Sequence, residues 1–524
     1  MYKSTKKGGK NKTNKIKYNF KKPNSKIIIF YVILIFLIIL LSFFYFNAIK
    51  RMPSNFTGIH YYEYYTSSVI LTEKIRNLEF KDFYQLFLLT YADKLIILGR
   101  IPFFLLFTST TLTFNFSNYF INMFLLIILF RTLLKIEKPF KAFTLILLVL
   151  GSKFFLETLL SFYIDLTYML VFSIFLIYLY EFDKNHKKNN ISLTLLVSLL
   201  FFTKNISYLI IPILLIFLTF YYYFYKKEKW SYLKKIWIIF LIGFLIYFTI
   251  STGLRGNRLM SDIDQGAGGN FEVRDFGFTM KSISNYFLKN IREGTFKNYL
   301  FLHKFNSIWI SLALYLILIY NIISKKNKFC VLMFIFSDIF FFFFYNIKGH
   351  HFEFRYVTMF YLIYFYLFYD FIYVICKRLF RKYGNHILLF IISLLFLFNF
   401  LQIAKNMQNP NDYTPTYFSF TSELIINVEQ GSKVYIDTEH LDDPLHYNYR
   451  CDALIRYNDL NLTRLTNINP RFAYTITDDI KTADYILTSR IQNFNMSHYT
   501  IIDHLPPPKY DPRDLYLIKE KEKS

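Results

Sequence analysis

Leu193-Thr-Leu-Leu-Val-Ser-Leu-Leu-Phe-Phe-Thr-Lys204-Asn-Ile-Ser-Tyr-Leu-Ile-Ile-Pro212 is an apolar run interrupted near its middle by one cation. A membrane hairpin accounts for the pattern, with residues 191–203 going out, Lys204-Asn205 forming the tip and residues 206–224 returning. Lysines crowd both flanks of the hairpin, at Lys184, Lys187 and Lys188 before it and across 226–235 after it. Lys204 therefore sits at the end away from the other lysines, against the usual positive-inside distribution. Such a lysine can simply extend its ammonium to the interface. The functional alternative is a ligand for phosphate.

The rest of the chain repeats this apolar theme. Of its 524 residues 54% are hydrophobic and 21% aromatic, in runs of about 17 to 22 residues, enough to cross roughly 30 Å of hydrocarbon. The expected fold is a polytopic α-helical membrane protein with about eleven transmembrane helices. The spans fall at residues 27–47, 116–134, 143–155, 164–180, 191–203, 206–224, 236–250, 308–323, 331–345, 356–375 and 387–404. Basic residues cluster in alternate connections, including Arg131 to Lys141, Lys325 to Lys328 and Lys377 to Lys382, and mark those as cytoplasmic.

The first 26 residues hold ten lysines and no acid, a basic tail that places the amino terminus in the cytoplasm. The first apolar run ends in Phe-Phe-Tyr-Phe-Asn47, without the small residues of a cleavage site, and reads as a retained span. Two outer loops follow from this topology, 48–115 and 251–306. The first carries helical pieces at 82–89 and an amphipathic stretch at 95–107 suited to the membrane interface. The formal charge of +25 resides in short loops, so it reports topology rather than a nucleic-acid partner.

From Lys405 onward the balance reverses, with 13 Lys and Arg against 17 Asp and Glu. Short β-rich runs at 433–437, 483–488, 499–503 and 514–519 predict a small α/β domain over 405–524. Eleven spans from a cytoplasmic start make that domain extracytoplasmic. Cys330, Cys376 and Cys451 imply no disulfide framework.

Several residues are candidates for chemistry. Asp165 opens the fourth span, where a carboxylate is costly unless paired or wetted; a helix N-cap is the structural alternative. Glu63 stands among tyrosines in Gly58-Ile-His-Tyr-Tyr-Glu63-Tyr-Tyr65, just beyond the first span. The loop Gly349-His-His-Phe-Glu-Phe-Arg355-Tyr356 combines His350, His351 and Glu353, a short pattern open to a divalent metal, with Arg355, whose fork suits phosphate. Asp262-Ile-Asp264-Gln-Gly266-Ala-Gly268-Gly269 lacks the later acid of a calcium loop and reads as flexible connection.

Taken together these features resemble the GT-C superfamily of membrane glycosyltransferases, in the branch of protein O-mannosyltransferases and aminoarabinose transferases. The similarity rests on Glu63 in the first outer loop, Asp165 at the mouth of span 4, the Leu193 to Pro212 hairpin with Lys204, and Arg355-Tyr356 opening a descending span. Asp93-Lys94 also resembles the family's segment before its interfacial helix. Where the family carries an Asp-Glu pair this chain has Tyr62-Glu63, which leaves Asp82 and Asp93 as alternative acids. A Trp-Trp-Asp signature of oligosaccharyltransferases is absent.

The resemblance implies transfer of one sugar from a polyprenyl-phosphate donor to an acceptor hydroxyl of a lipid, glycan or protein, outside a bacterial cytoplasmic (inner) membrane and with inversion. It implies Glu63 and Asp165 as catalytic acids, and Lys204, Arg355 and Tyr356 as donor-phosphate ligands. Two other classes stay open: a cell-envelope polysaccharide polymerase or ligase, which would not need Glu63, and a lipid-linked sugar transporter, which would need ionisable sites at mid-membrane. Asp338 is the main residue of that last kind.

Overall fold

The computed structural model describes residues 25–51, 68, 71–72, 74–89, 94–107, 111–161, 165–184, 190–204, 206–227, 230–252, 307–324, 327–348, 359–408, 429, 432–437, 475–477, 479–488, 490–505 and 515–521. A helix forms at each of the eleven expected spans. The first part of the chain gives α1 (Ser25–Arg51), α2 (Phe80–Leu89), α3 (Lys94–Leu106), α4 (Thr111–Ile136), α5 (Pro139–Leu150), α6 (Lys153–Ser161) and α7 (Asp165–Lys184). After these come α8 (Asn190–Thr203), α9 (Ser207–Phe220), α10 (Trp230–Thr252), α11 (Ser307–Ile323), α12 (Lys328–Lys348), α13 (Tyr361–Phe380) and α14 (Gly384–Gln408). Among the described residues, six helical segments are long and apolar enough to cross a bilayer. The protein is a multi-pass membrane protein.

The bundle is built around α7. Every residue from Asp165 to Ile177 is buried, as expected of a helix that is apolar all round and surrounded by others. It packs against α4, α6, α8 and α13. By contrast α1 presents Ile28, Val32, Phe36, Ile39 and Phe43 outward, each exposed, the composition of a lipid-facing stripe. Close helix approach needs small residues, and Gly243 on α10 supplies one: a Cβ there would stand 2.8 Å from the Thr194 carbonyl oxygen on α8.

The third span differs from its expectation. Residues 143–155 read as one run, yet the helix stops at Gly151-Ser152 and restarts. A Cβ on Gly151 would lie 2.9 Å from Cα of Phe396 on α14, and Asn399 Nδ2 donates to the Gly151 carbonyl at 2.7 Å. Ser152 then caps α6, its Oγ accepting from the Phe155 amide at 3.2 Å. Gly151→Ala is therefore expected to lower stability by about 1–3 kcal/mol through overpacking against α14, measurable as an earlier thermal unfolding transition of the full chain in detergent.

The basic connections meet at one end of the bundle. Lys135 donates to the Tyr178 hydroxyl at 2.8 Å, and Lys226 pairs with Asp183 at 2.6 Å. Lys141 bridges Asp370 at 2.8 Å and Glu137 at 3.3 Å, and Asn327 donates to Asp370 at 2.7 Å. These contacts join the ends of α4, α5, α7 and α12 and the segment after α9 to the middle of α13. At the other end the Tyr45 hydroxyl donates to the Asn115 carbonyl at 3.3 Å. Asp338, within α12, is a hydrogen-bond partner of Tyr315 on α11.

The expected interfacial stretch is α3, but its charges point the other way. Lys94 and Arg100 are buried, while Leu105 and Leu106 are exposed. The helix packs on α4 and α8 and so turns its cations towards the bundle.

The carboxyl-terminal region holds a five-stranded sheet of β1 (Lys433–Ile436), β2 (Thr475–Thr477), β3 (Tyr485–Thr488), β4 (Tyr499–Leu505) and β5 (Leu515–Glu520). Its order is β2-β1-β3-β5-β4, with β1 parallel to β2 and β3, and β5 antiparallel to β3 and β4. Central β3 is buried along its length, which explains its unbroken Tyr-Ile-Leu-Thr488. The sequence reading located four of these strands and missed β2, whose three residues Thr-Ile-Thr are too short to show a period.

Candidate active site

Asp165 is the first residue of α7 and 3% exposed. A carboxylate at that position gains from the positive end of the helix, but burial there demands a full counter-charge. Lys204 supplies it. From the end of α8 its Nζ forms an ion pair with Asp165 Oδ1, the two side chains being 15% and 4% exposed. Thus the two spans whose polar residues stood out in sequence bring those residues into contact, 39 positions apart.

The pair rests on an ordered floor. The Lys204 ammonium lies 5.9 Å from the ring centre of Tyr168, one turn along α7 from Asp165. The Tyr168 hydroxyl lies 3.0 Å from Ser207 Oγ, and Ser207 at the start of α9 donates to the Leu200 carbonyl at 2.8 Å. This ties both arms of the hairpin to α7 and fixes the place of the ammonium.

A second buried polar chain reaches α7 from the other side. Thr167 Oγ1 donates to Asn122 Oδ1 at 2.8 Å, Asn122 Nδ2 lies 3.4 Å from Asn118 Oδ1, and Arg100 donates to the same Asn118 oxygen at 3.1 Å. Arg100 also donates to the Ile96 carbonyl at 2.7 Å and stacks 4.2 Å from the centre of the Phe114 ring. All four side chains are buried. The chain couples α3 to α4 and α4 to the residue two after Asp165. Asn122→Leu is expected to cost about 1–2 kcal/mol by removing its interhelical bond to Thr167 and its contact with Asn118 on the same helix, with a loss of activity exceeding the loss of folded protein at the assay temperature.

The shape of the whole bundle has a solved counterpart. The crystal structure of ArnT from Cupriavidus metallidurans bound to undecaprenyl phosphate is similar with a TM-score of 0.54, over 95% of this chain and 98% of that one, at 8% identity. The chain has the GT-C fold. No family model and no curated protein matches the sequence, so the likeness is one of fold. The match spans helices and carboxyl-terminal region together, as its coverage requires.

Of the remaining sequence candidates, Asp82 is exposed in the first turn of α2, 3.6 Å from Lys74, in a small surface cluster with Glu79. Glu63, Asp93, His350, His351, Glu353, Arg355 and Tyr356 lie outside the described residues. Among the described residues no three His, Cys, Asp or Glu side chains gather as metal ligands. Sequence reasoning missed Arg100, Asn118 and Asn122, although Asn115, Asn118 and Asn122 form a polar stripe at helical spacing in an apolar span. It also gave no separate weight to Lys94, a buried cation whose Nζ is 5.1 Å from the Phe87 ring centre.

Proposed function

We propose that the chain transfers a single sugar from a polyprenyl-phosphate donor to a hydroxyl of a lipid, glycan or protein acceptor, on the extracytoplasmic face of a bacterial cytoplasmic membrane. The observation that carries this reading is the Asp165–Lys204 pair, its carboxylate buried and its ammonium partly so, at the end of the bundle opposite the basic loops. It occurs in a fold shared with a protein crystallised with undecaprenyl phosphate.

In this reading the donor's hydrocarbon lies between helices and its phosphate approaches Lys204, with Arg355 and Tyr356 completing the cradle. The acceptor oxygen attacks the anomeric carbon from the side opposite the phosphate. The bond from carbon to phosphate oxygen breaks, its electron pair stays on the phosphate, and the leaving group is polyprenyl phosphate. Cations fixed beforehand stabilise that developing charge without reorganisation. Glu63 takes the proton of the attacking hydroxyl as general base, and attack from the opposite face inverts the centre. Asp165 holds Lys204 in place and orients the sugar or acceptor. His350, His351 and Glu353 are the residues that would hold a divalent metal if the reaction uses one. The sheet of residues 433–520 is suited to covering the acceptor side.

The test is turnover by the full chain in nanodiscs, supplied with a panel of polyprenyl-phosphate sugars and a membrane lipid extract. Release of free polyprenyl phosphate from one donor, matched by appearance of a glycosylated acceptor, is the expected outcome. Movement of intact donor across the bilayer with no release from any member of the panel would establish a transporter instead.

A further inference from the structure

At the basic end of the bundle, far along α7 from Asp165, the helices leave a cavity of about 280 Å³. One part of its wall is cationic: Lys184 at the end of α7, Lys226 after α9, and Lys328 at the start of α12. The lining contains a single acid, Asp183, which pairs with Lys226 at 2.6 Å. Among the described residues neither Lys184 nor Lys328 forms an ion pair, and both are exposed. The Lys184 ammonium lies 4.1 Å from the Tyr180 ring centre, a cation–π contact that holds it in place while leaving it without an anionic partner among the described residues. The remaining wall is mostly apolar, with Leu133, Leu176, Leu362 and Ile363 beside tyrosines and Asn327.

A site with two ammonium groups that lack an anionic partner among the described residues at one part and aliphatic side chains at the other matches an amphipathic anion. Free phosphate would leave the aliphatic wall in water, and a neutral lipid would leave the cations without a partner. Bilayer depth agrees. The π-helical turn Tyr221–Tyr225 after α9 contributes Tyr221 to the lining, while Tyr223, Phe224 and Tyr225 are exposed, as in an aromatic belt at headgroup level. The volume lies at the small end of ligand pockets, enough for a headgroup and its first methylenes, with the chains continuing along the lipid-facing surface.

We propose that this cavity is a binding site for the phosphate headgroup of an anionic phospholipid from the adjoining leaflet, distinct from the site at Asp165 and Lys204. Basic pockets between transmembrane helices select anionic headgroups in this way. The bound lipid would clamp α7, α12 and α13 together at the end remote from the chemistry.

The experiment is native mass spectrometry of the full chain in mild detergent, titrated with phosphatidylglycerol, phosphatidylcholine or undecaprenyl phosphate, with inorganic phosphate as competitor. Phosphatidylglycerol should bind about thirtyfold more tightly than phosphatidylcholine, the effect of two lysines near a headgroup. That preference should vanish in the Lys184→Gln, Lys328→Gln double variant and persist in Lys382→Gln, a change in the same basic end. Equal retention of the two phospholipids, or unchanged preference in the double variant, overturns the proposal. Stronger binding of undecaprenyl phosphate would reassign the site to donor-type lipids, and displacement by inorganic phosphate would reassign it to a free anion. If the double variant does not fold, photoactivatable phosphatidylglycerol on the unaltered chain decides: crosslinks at 176–184 and 327–330 support the site, and their absence refutes it.

Discussion

Asp165→Asn and Lys204→Met, each made alone, are expected to reduce turnover about 10²-fold or more and to destabilise the bundle by about 3–5 kcal/mol. Each leaves one member of a buried pair without its counter-charge. The double variant distinguishes architecture from chemistry. Removing both charges relieves the stranded ion, so much of the stability should return, while activity should stay as low as in the singles because the ammonium proposed to meet the donor phosphate is gone. Thermal unfolding and initial rates on the same four proteins check this. Activity that recovered along with stability would reduce the pair to a structural clamp.

Glu63→Gln carries the second large effect, a fall of about 10² to 10⁴ in the chemical step from loss of the proposed proton acceptor. The amide keeps the size of the side chain and withholds only the base. Donor binding should therefore be unchanged, with the loss confined to kcat, and raising pH should restore part of the rate by supplying hydroxide. A polymerase or ligase that takes its chemistry from arginine and histidine loops would tolerate the substitution. If turnover with Gln at that position matches the native chain, the base is elsewhere, and Asp93 is the next acid to replace.

Much of the architecture was legible because the bilayer makes strong demands on sequence. Apolar runs of membrane length were enough to locate the helices, and the contacts of Lys135 and Lys226 bring the ends of α4 and α7 and the segment after α9 together. The alternation of basic loops put Asp165 and Lys204 at the opposite end, though their contact depends on how α7 and α8 pack and no local pattern encodes it. The break at Gly151 stayed hidden since a lone glycine in an apolar run looks neutral until Phe396 is known to press on it. Arg100 was hidden for a related reason: a charged residue in a short helix near the surface reads as outward-facing, and only its stacking on Phe114 and its bond to Asn118 turn it inward. The GT-C likeness was visible in a few short motifs. Its support now comes from the course of the whole chain.

The proposed reaction requires Glu63 and Arg355 to converge on the Asp165–Lys204 pair. Pairwise introduction of Glu63→Cys with Lys204→Cys, and of Arg355→Cys with Lys204→Cys, in a chain cleared of its three native cysteines, allows crosslinking by a short bis-maleimide in nanodiscs. Efficient crosslinking of both pairs, suppressed by a polyprenyl-phosphate donor, is the predicted result. Reagent reaching the position of Glu63 from one side of the bilayer and that of Lys204 only from the other would contradict it.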